Sequence, residues 1–223
     1  MKIKNDSVSL CRRFAFCWKR NFFSAGKIDK VEKIQDAFMF YRFFLFSLLT
    51  LTSSALHAEG FVLQGKECET KLVELIESAS DYIDVSVYAM NNKRLINALI
   101  DAHHRGVRVR VLTDRLQAAG NSSRIWDLIK EGVPLRVHTH KRIMHTKIAV
   151  YDGKSVSSGS LNWTEPAVYK NEEVCDIFID DPDYATQHQK LFDERWKANP
   201  QEKSDEWIQN KLAERTGKND TAL

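Results

Sequence analysis

The chain reads as an α/β protein, a three-layer α/β/α sandwich around a mixed central sheet. Two observations predict this. Segments with apolar residues every three or four positions alternate with short β-branched runs, and Gly or Asp-Gly turns separate them. The 223 residues are enough for one ordinary domain behind a leader.

Leu72, Val73, Leu75 and Ile76 place an apolar stripe on a helix over 68–80, and residues 82–88 alternate as a strand. Leu95, Ile96, Leu99 and Ile100 form the inner face of a helix over 92–105, which Gly106 stops. A strand over 107–113 carries Val107, Val109 and Val111 on one side and Arg108 and Arg110 on the other. A helix over 122–131 and a strand over 135–138 come next. Residues 147–151 and 155–158 then form a hairpin about Asp152-Gly153. A strand over 174–179 precedes a closing helix over 182–198 with Leu191, Phe192 and Trp196. The loop over 118–123 is expected to be mobile and to rim a site. The charged tail over 201–223 has few large apolar residues and is expected to be peripheral.

The motif strands carry the chemistry. His145-Thr-Lys147, Asp152 and Gly159-Ser160-Leu161-Asn162 write the pattern H-x-K-x4-D-x6-G-S-x-N. A phosphodiester holds a negative charge and has a poor leaving group, so its hydrolysis needs a nucleophile, neutralising donors and an acid. A neutral imidazole can attack, lysine supplies charge, and Ser and Asn supply fixed donors. On a strand, His145 and Lys147 share a face. Gly159 is expected to let backbone approach the phosphate. Each piece alone is common on protein surfaces; six positions at these spacings are not. Asp152, beside a turn, suggests a mainly structural role.

These residues resemble the HKD signature of the phospholipase D superfamily. The run over 159–164 is similar to its short single-motif members, the secreted bacterial Nuc-type endonucleases and the mitochondrial cardiolipin hydrolase group. The similarity extends over roughly 61–196 and includes Asn171-Glu172-Glu173, which resembles the family's Asn-x-Glu. Val174 stands where the family has asparagine.

The resemblance implies a phospholipase D-like fold and a homodimer that pools two motifs, since this chain holds one copy. It further implies that one His145 forms a phosphohistidine while that of the second copy protonates the leaving oxygen and then activates water. Lys147, Asn162 and Ser160 would hold phosphate oxygens, and Glu173 would orient His145 through a hydrogen bond. Neither metal nor cofactor is implied.

His138, His140 and His145 lack a cysteine pair or carboxylate at ligand spacing, so the sequence offers no metal site. His140, Lys141 and Arg142 read instead as a basic approach to the phosphate.

Residues 39–58 read as a secretory signal. Arg42 precedes an apolar run over 43–51 and small residues ending at Ala55 and Ala58, after either of which cleavage fits. The expected location is periplasmic or secreted. The alternative is an uncleaved anchor that holds the protein in a membrane, although the run is shorter than the ~20 residues of a span. Residues 1–38 are an extension, expected to be poorly ordered, for which two accounts stand: a start upstream of a true initiator at Met39, or a targeting segment with Arg12, Arg13, Lys19 and Arg20. The catalytic domain is expected over 59–200.

Residues 1–58 carry 10 of the 33 basic and 4 of the 30 acidic residues, which leaves 23 basic against 26 acidic and a formal charge of −3. The domain is therefore not globally basic, and nucleic-acid affinity must come from a local patch. Candidates are Arg105, Arg108, Arg110, Arg115, Arg124, Lys141 and Arg142. Cys68 and Cys175 fit equally a disulfide in an oxidising compartment or two small buried apolar side chains. Trp163 is expected in the core or a dimer contact, ahead of stacking on a base.

The leading expectation is a nonspecific endonuclease acting on DNA, RNA or both. The alternative is a phospholipase D acting on cardiolipin or another phospholipid, because one catalytic set serves both. A non-catalytic nucleic-acid-binding protein fits less well with an intact motif.

Overall fold

A computed structural model describes residues 58–220, with side chains through 215. The extension over 1–38 and all but Ala58 of the expected signal lie outside the described residues. The strands are β1 (Glu59–Leu63), β2 (Tyr82–Val87), β3 (Arg108–Asp114), β4 (Leu135–His138), β5 (Lys147–Tyr151), β6 (Ser155–Gly159) and β7 (Cys175–Ile179). Together they form one sheet in the order β1-β7-β6-β5-β2-β3-β4. β2, β3 and β4 pair in parallel and the remaining neighbours antiparallel, so the sheet is mixed as expected.

The helices are α1 (Gly65–Ser78), α2 (Lys93–His104), α3 (Arg115–Ala118), α4 (Ile125–Lys130), α5 (Glu165–Tyr169), α6 (Pro182–Ala198) and α7 (Gln201–Asp220). Period-two alternation in the strands builds the layers. Ile83, Val85 and Val87 point into one core with Leu72 and Ile76 of α1 and Leu95, Ile96 and Leu99 of α2. On the opposite face Leu112 and Met144 pack against Phe192 of α6, and Val150 and Val156 against Ala185. These are the three predicted layers. No helix among the described residues is long and apolar enough to cross a membrane.

Three elements were not legible in the sequence. β1 is an edge strand with Val62 75% exposed, so it lacks a buried alternation. The short helices α3 and α5 carry too few turns for periodicity. The tail expected to be peripheral forms α7, which is docked on the domain. There Ile208 is buried, Trp207 stacks on Trp126 of α4 at 6.4 Å, and Ser204 accepts the Val137 N–H of β4 at 3.0 Å. α7 thereby covers an edge that would otherwise present unpaired backbone.

Several arginines of the expected cationic patch are engaged within the fold. Asp84, fully buried on β2, accepts from Arg110 at 2.7 and 2.6 Å and from Gln189 of α6 at 2.7 Å. Arg108 pairs with the same carboxylate at 3.7 Å. Arg105 donates to the carbonyls of Ile76 and Glu77, and Arg124 pairs with Asp127. These four arginines hold the fold together. Arg115, Lys141 and Arg142 make no ion pair among the described residues.

Asp152 sits at positive φ (51°) in the β5–β6 turn and ties it to the start of β2. Its carboxylate accepts the N–H groups of Ser80, Asp81 and Tyr82, each at 2.9 Å, and the Ser80 hydroxyl at 3.2 Å. Burial raises its pKa, but these hydrogen bonds more than offset that and hold the carboxyl below its ordinary value. A depressed carboxylate contributes stability that is fully present above the unfolded pKa and disappears as pH falls through the folded one. Asp152→Ala is therefore expected to cost about 1–3 kcal/mol near neutrality. Denaturant melts should show the variant losing less stability than the wild type between pH 7 and the acid side of the carboxylate range; equal acid losses would contradict this role.

Cys68 of α1 and Cys175 at the start of β7 form a disulfide, with a sequence separation of 107. Of the two readings left open for them, the structure adopts the pair.

Candidate active site

The site lies where β5 begins and β6 ends. Lys147 opens β5 on the face shared with Val87, its register partner on β2. The lysine side chain is buried, and Nζ donates to the carbonyl of His145 at 3.0 Å. The ring of Tyr88 lies beneath both residues, 5.2 Å from Lys147 Nζ and 4.6 Å from the His145 ring. A cation over an aromatic face is attracted by the ring quadrupole, so Tyr88 steadies the ammonium without neutralising it. Burial lowers the pKa of Lys147, and nearby Glu173 acts in the opposite direction.

Tyr88 is itself fixed. Gln117 donates to its hydroxyl at 3.0 Å, and its N–H donates to the carbonyl of Thr146 at 2.8 Å. Thr146 and Ser86 hydroxyls lie 2.9 Å apart. Together these contacts hold the segment from which the exposed His145 projects.

The second half of the site joins β6 to β7. Gly159 adopts φ +132°, and a Cβ there would fall 2.3 Å from the carbonyl oxygen of Val174. The close approach of the chain at the start of β7 thus requires the glycine by itself. The Val174 carbonyl accepts the N–H groups of Ser160 and Leu161 at 2.9 and 3.4 Å, and its own N–H donates to Ser160 Oγ at 3.0 Å. Val174 makes these contacts through its backbone alone, so they do not depend on the side chain that departs from the family's asparagine.

Ser160 Oγ donates to Glu173 at 2.5 Å, and Asn171 Nδ2 donates to the other carboxylate oxygen at 3.2 Å. The single hydroxyl hydrogen of Ser160 is therefore committed to Glu173 instead of standing free for a phosphate oxygen. Glu173 makes no hydrogen bond to His145 of its own chain; its partners are Ser160 and Asn171. Asn162 is half-buried, with a buried Oδ1 that has no protein partner.

The structure thus gathers His145, Lys147, Ser160 and Glu173 at one end of the hairpin, and it excludes Asp152. Five residues of strand put Asp152 roughly 17 Å from Lys147. His140 and Arg142 line a cavity that reaches His145, whereas Lys141 lies outside it. Trp163 is buried, and its carbonyl accepts from Asn91 and Asn92. Of the loop expected over 118–123, Ala118 ends α3, and Arg215 of α7 donates to the Gly120 carbonyl at 3.4 Å. The role of Tyr88 escaped the sequence reading because it rests on stacking contacts that no spacing reveals, whereas Asn171 was noted only as part of the Asn-x-Glu run. No group of three His, Cys, Asp or Glu among the described residues is placed to hold a metal.

Residues 72–196 match the family model described as cardiolipin synthase, PLD-like domain. Mitochondrial cardiolipin hydrolase from Danio rerio is 35% identical over 130 residues, 58% of this chain and 57% of that one. Its counterpart from Mus musculus is 30% identical over 193 residues, 82% of this chain and 83% of that one. The chain spans less than three fifths of the length of the Danio rerio relative. Among solved structures, Nuc from Salmonella typhimurium, a phospholipase D family member, superposes with TM-score 0.61 at 26% identity, over 65% of this chain and 97% of that one.

Proposed function

Because the chain belongs to the phospholipase D superfamily, with a PLD-like domain over residues 72–196, we propose that it is a phosphodiesterase acting on nucleic acid, a nonspecific endonuclease that needs no metal. The observation that carries the chemistry is the Tyr88 platform, which presents His145 beside a lysine that has no carboxylate partner. A nucleic-acid substrate is favoured by the cavity at His145, whose charged lining side chains are all cationic or imidazole. The likeness to Nuc supports the same reading.

In the proposed reaction, a His145 ring nitrogen attacks phosphorus as the bond to the leaving oxygen breaks. His145 of a second copy gives that oxygen a proton. The same imidazole then takes a proton from water as the hydroxide attacks phosphorus, the N–P bond breaks, and both rings return to their starting states. Lys147 and Asn162 face the phosphate charge. Glu173, unpaired with its own His145, is available to the imidazole of the other copy across a twofold axis. We also infer export to the periplasm or medium from the apolar run over 43–51, and the Cys68–Cys175 pair supports an oxidising compartment.

The second reading is a phospholipase D acting on cardiolipin, favoured by the relatives named cardiolipin hydrolase. Purified protein in EDTA should nick plasmid DNA or degrade RNA while releasing little phosphatidic acid from cardiolipin liposomes. Phosphatidic acid without nucleic-acid cleavage would reverse the order of the two readings. Activity that EDTA removes and magnesium restores would sink the metal-independent mechanism.

A further inference from the structure

The loop ahead of β5 and the C-terminal end of α6 enclose a cavity of about 470 Å³ whose wall runs from His145 to Arg195. His138, His140 and Arg142 line it between them. We propose that this cavity is a second anion subsite, which grips the phosphate next to the scissile one on a nucleic-acid strand. The proposal rests on the nuclease reading above.

Charge balance points to an anion. Arg195 is half-buried and Arg142 exposed, and neither makes an ion pair or side-chain hydrogen bond among the described residues. Arg110, on the same side of the sheet, has both Asp84 and Asp193. Around the cavity the nearby carboxylate is Asp114, itself buried, whose two oxygens accept the N–H groups of Leu116 and Met144 at 2.9 Å each. It lies 3.9 Å from His138 Nδ1, too far for a hydrogen bond, and that nitrogen is buried with no partner.

His138 therefore faces Asp114 from β3, Arg115 from α3, His140 from its own loop and Arg195 from α6. Burial, together with His140, Arg115 and Arg195, holds its pKa below the ordinary value against the pull of Asp114. A potential that discourages protonation of an imidazole is one that an incoming anion relieves.

The cavity is also built for a ligand of fixed position. His140 Nε2 lies 3.1 Å from the carbonyl of Ala198; a carbonyl only accepts, so this nitrogen carries the hydrogen. The His138 and His140 rings lie 5.0 Å apart. Two imidazoles alone could suggest a metal, but two unpaired arginines in the same wall repel a cation. Guanidinium groups match the planar, two-pronged hydrogen bonding of a phosphate. Because His145 forms the far wall, the anion held here and the phosphate under attack belong to one substrate molecule.

The test uses the whole protein and three oligonucleotides with one cleavable linkage. One has ordinary phosphodiesters; the others carry a neutral methylphosphonate immediately 5′ or 3′ of the scissile phosphate. In the wild type, a neutral linkage on one side should lower kcat/KM about tenfold, chiefly through KM. In Arg195→Gln that penalty should shrink to less than about twofold, because the charge it removes no longer has a partner. Arg142→Gln, at an exposed position, should shrink it likewise, which guards against a fold defect at α6. An undiminished penalty in both variants, or no penalty on either side in the wild type, overturns the subsite alone. If the wild type hydrolyses bis(p-nitrophenyl) phosphate but none of the oligonucleotides, the nucleic-acid reading falls and takes the subsite with it.

Discussion

Replacing His145 by alanine is expected to lower kcat/KM at least about 10⁴-fold while leaving the melting temperature unchanged. The side chain is exposed and makes one ring contact, with Tyr88, so little packing is lost. In the proposed reaction the attack comes from its ring nitrogen, which stands over Tyr88 beside Lys147. Two measurements read the outcome. Acid-quenched wild type should carry phosphorus on this histidine, and the variant none. Co-expression with differently tagged wild type gives the sharper result. If each centre needs an imidazole from both copies, activity falls as the square of the wild-type fraction. A linear fall would mean that one copy suffices and would remove the dimer from the mechanism.

The second large effect concerns stability. Losing the Cys68–Cys175 bond, through a double alanine variant, should cost about 3–5 kcal/mol. In the chain-entropy account a bridge over 107 residues removes much of the freedom of the unfolded chain, and here the closed loop contains β2 to β6. For a domain of this size the melting temperature should drop by about 10 °C. Activity should suffer too, because Cys175 is two residues from Glu173 and its strand neighbour is Gly159. Reduction with dithiothreitol should reproduce the variant. A melting curve indifferent to both treatments would show the bond to be incidental.

Much of this architecture is legible in the sequence. The alternation in 82–88 and the helical stripes at Leu72–Ile76 and Leu95–Ile100 are local patterns, and local patterns survive folding. The hairpin was equally plain, because Asp152-Gly153 marks it. What could not be read was long-range. The demand on Gly159 comes from the Val174 carbonyl just ahead of β7, fifteen residues away in sequence, and no spacing rule announces it. The same holds for Ser160, whose hydrogen is taken by Glu173, and for Arg108 and Arg110, claimed by a buried Asp84. α7 looked peripheral because only Trp207, Ile208 and Leu212 break its charge; its docking becomes evident when Trp126 supplies the other ring. Asp152 is the instructive case within the motif: it shares a pattern with His145 yet secures the opposite end of the hairpin.

In the proposed reaction Lys147 would meet the phosphate in an unusual state for a buried cation. Its ammonium rests against a peptide oxygen and the π-cloud of Tyr88, neither of which bears a full negative charge. An arriving phosphate thus has no counter-ion to evict and no long side chain to reorder. The solvent reorganisation that a surface lysine would undergo at each turnover has been completed during folding.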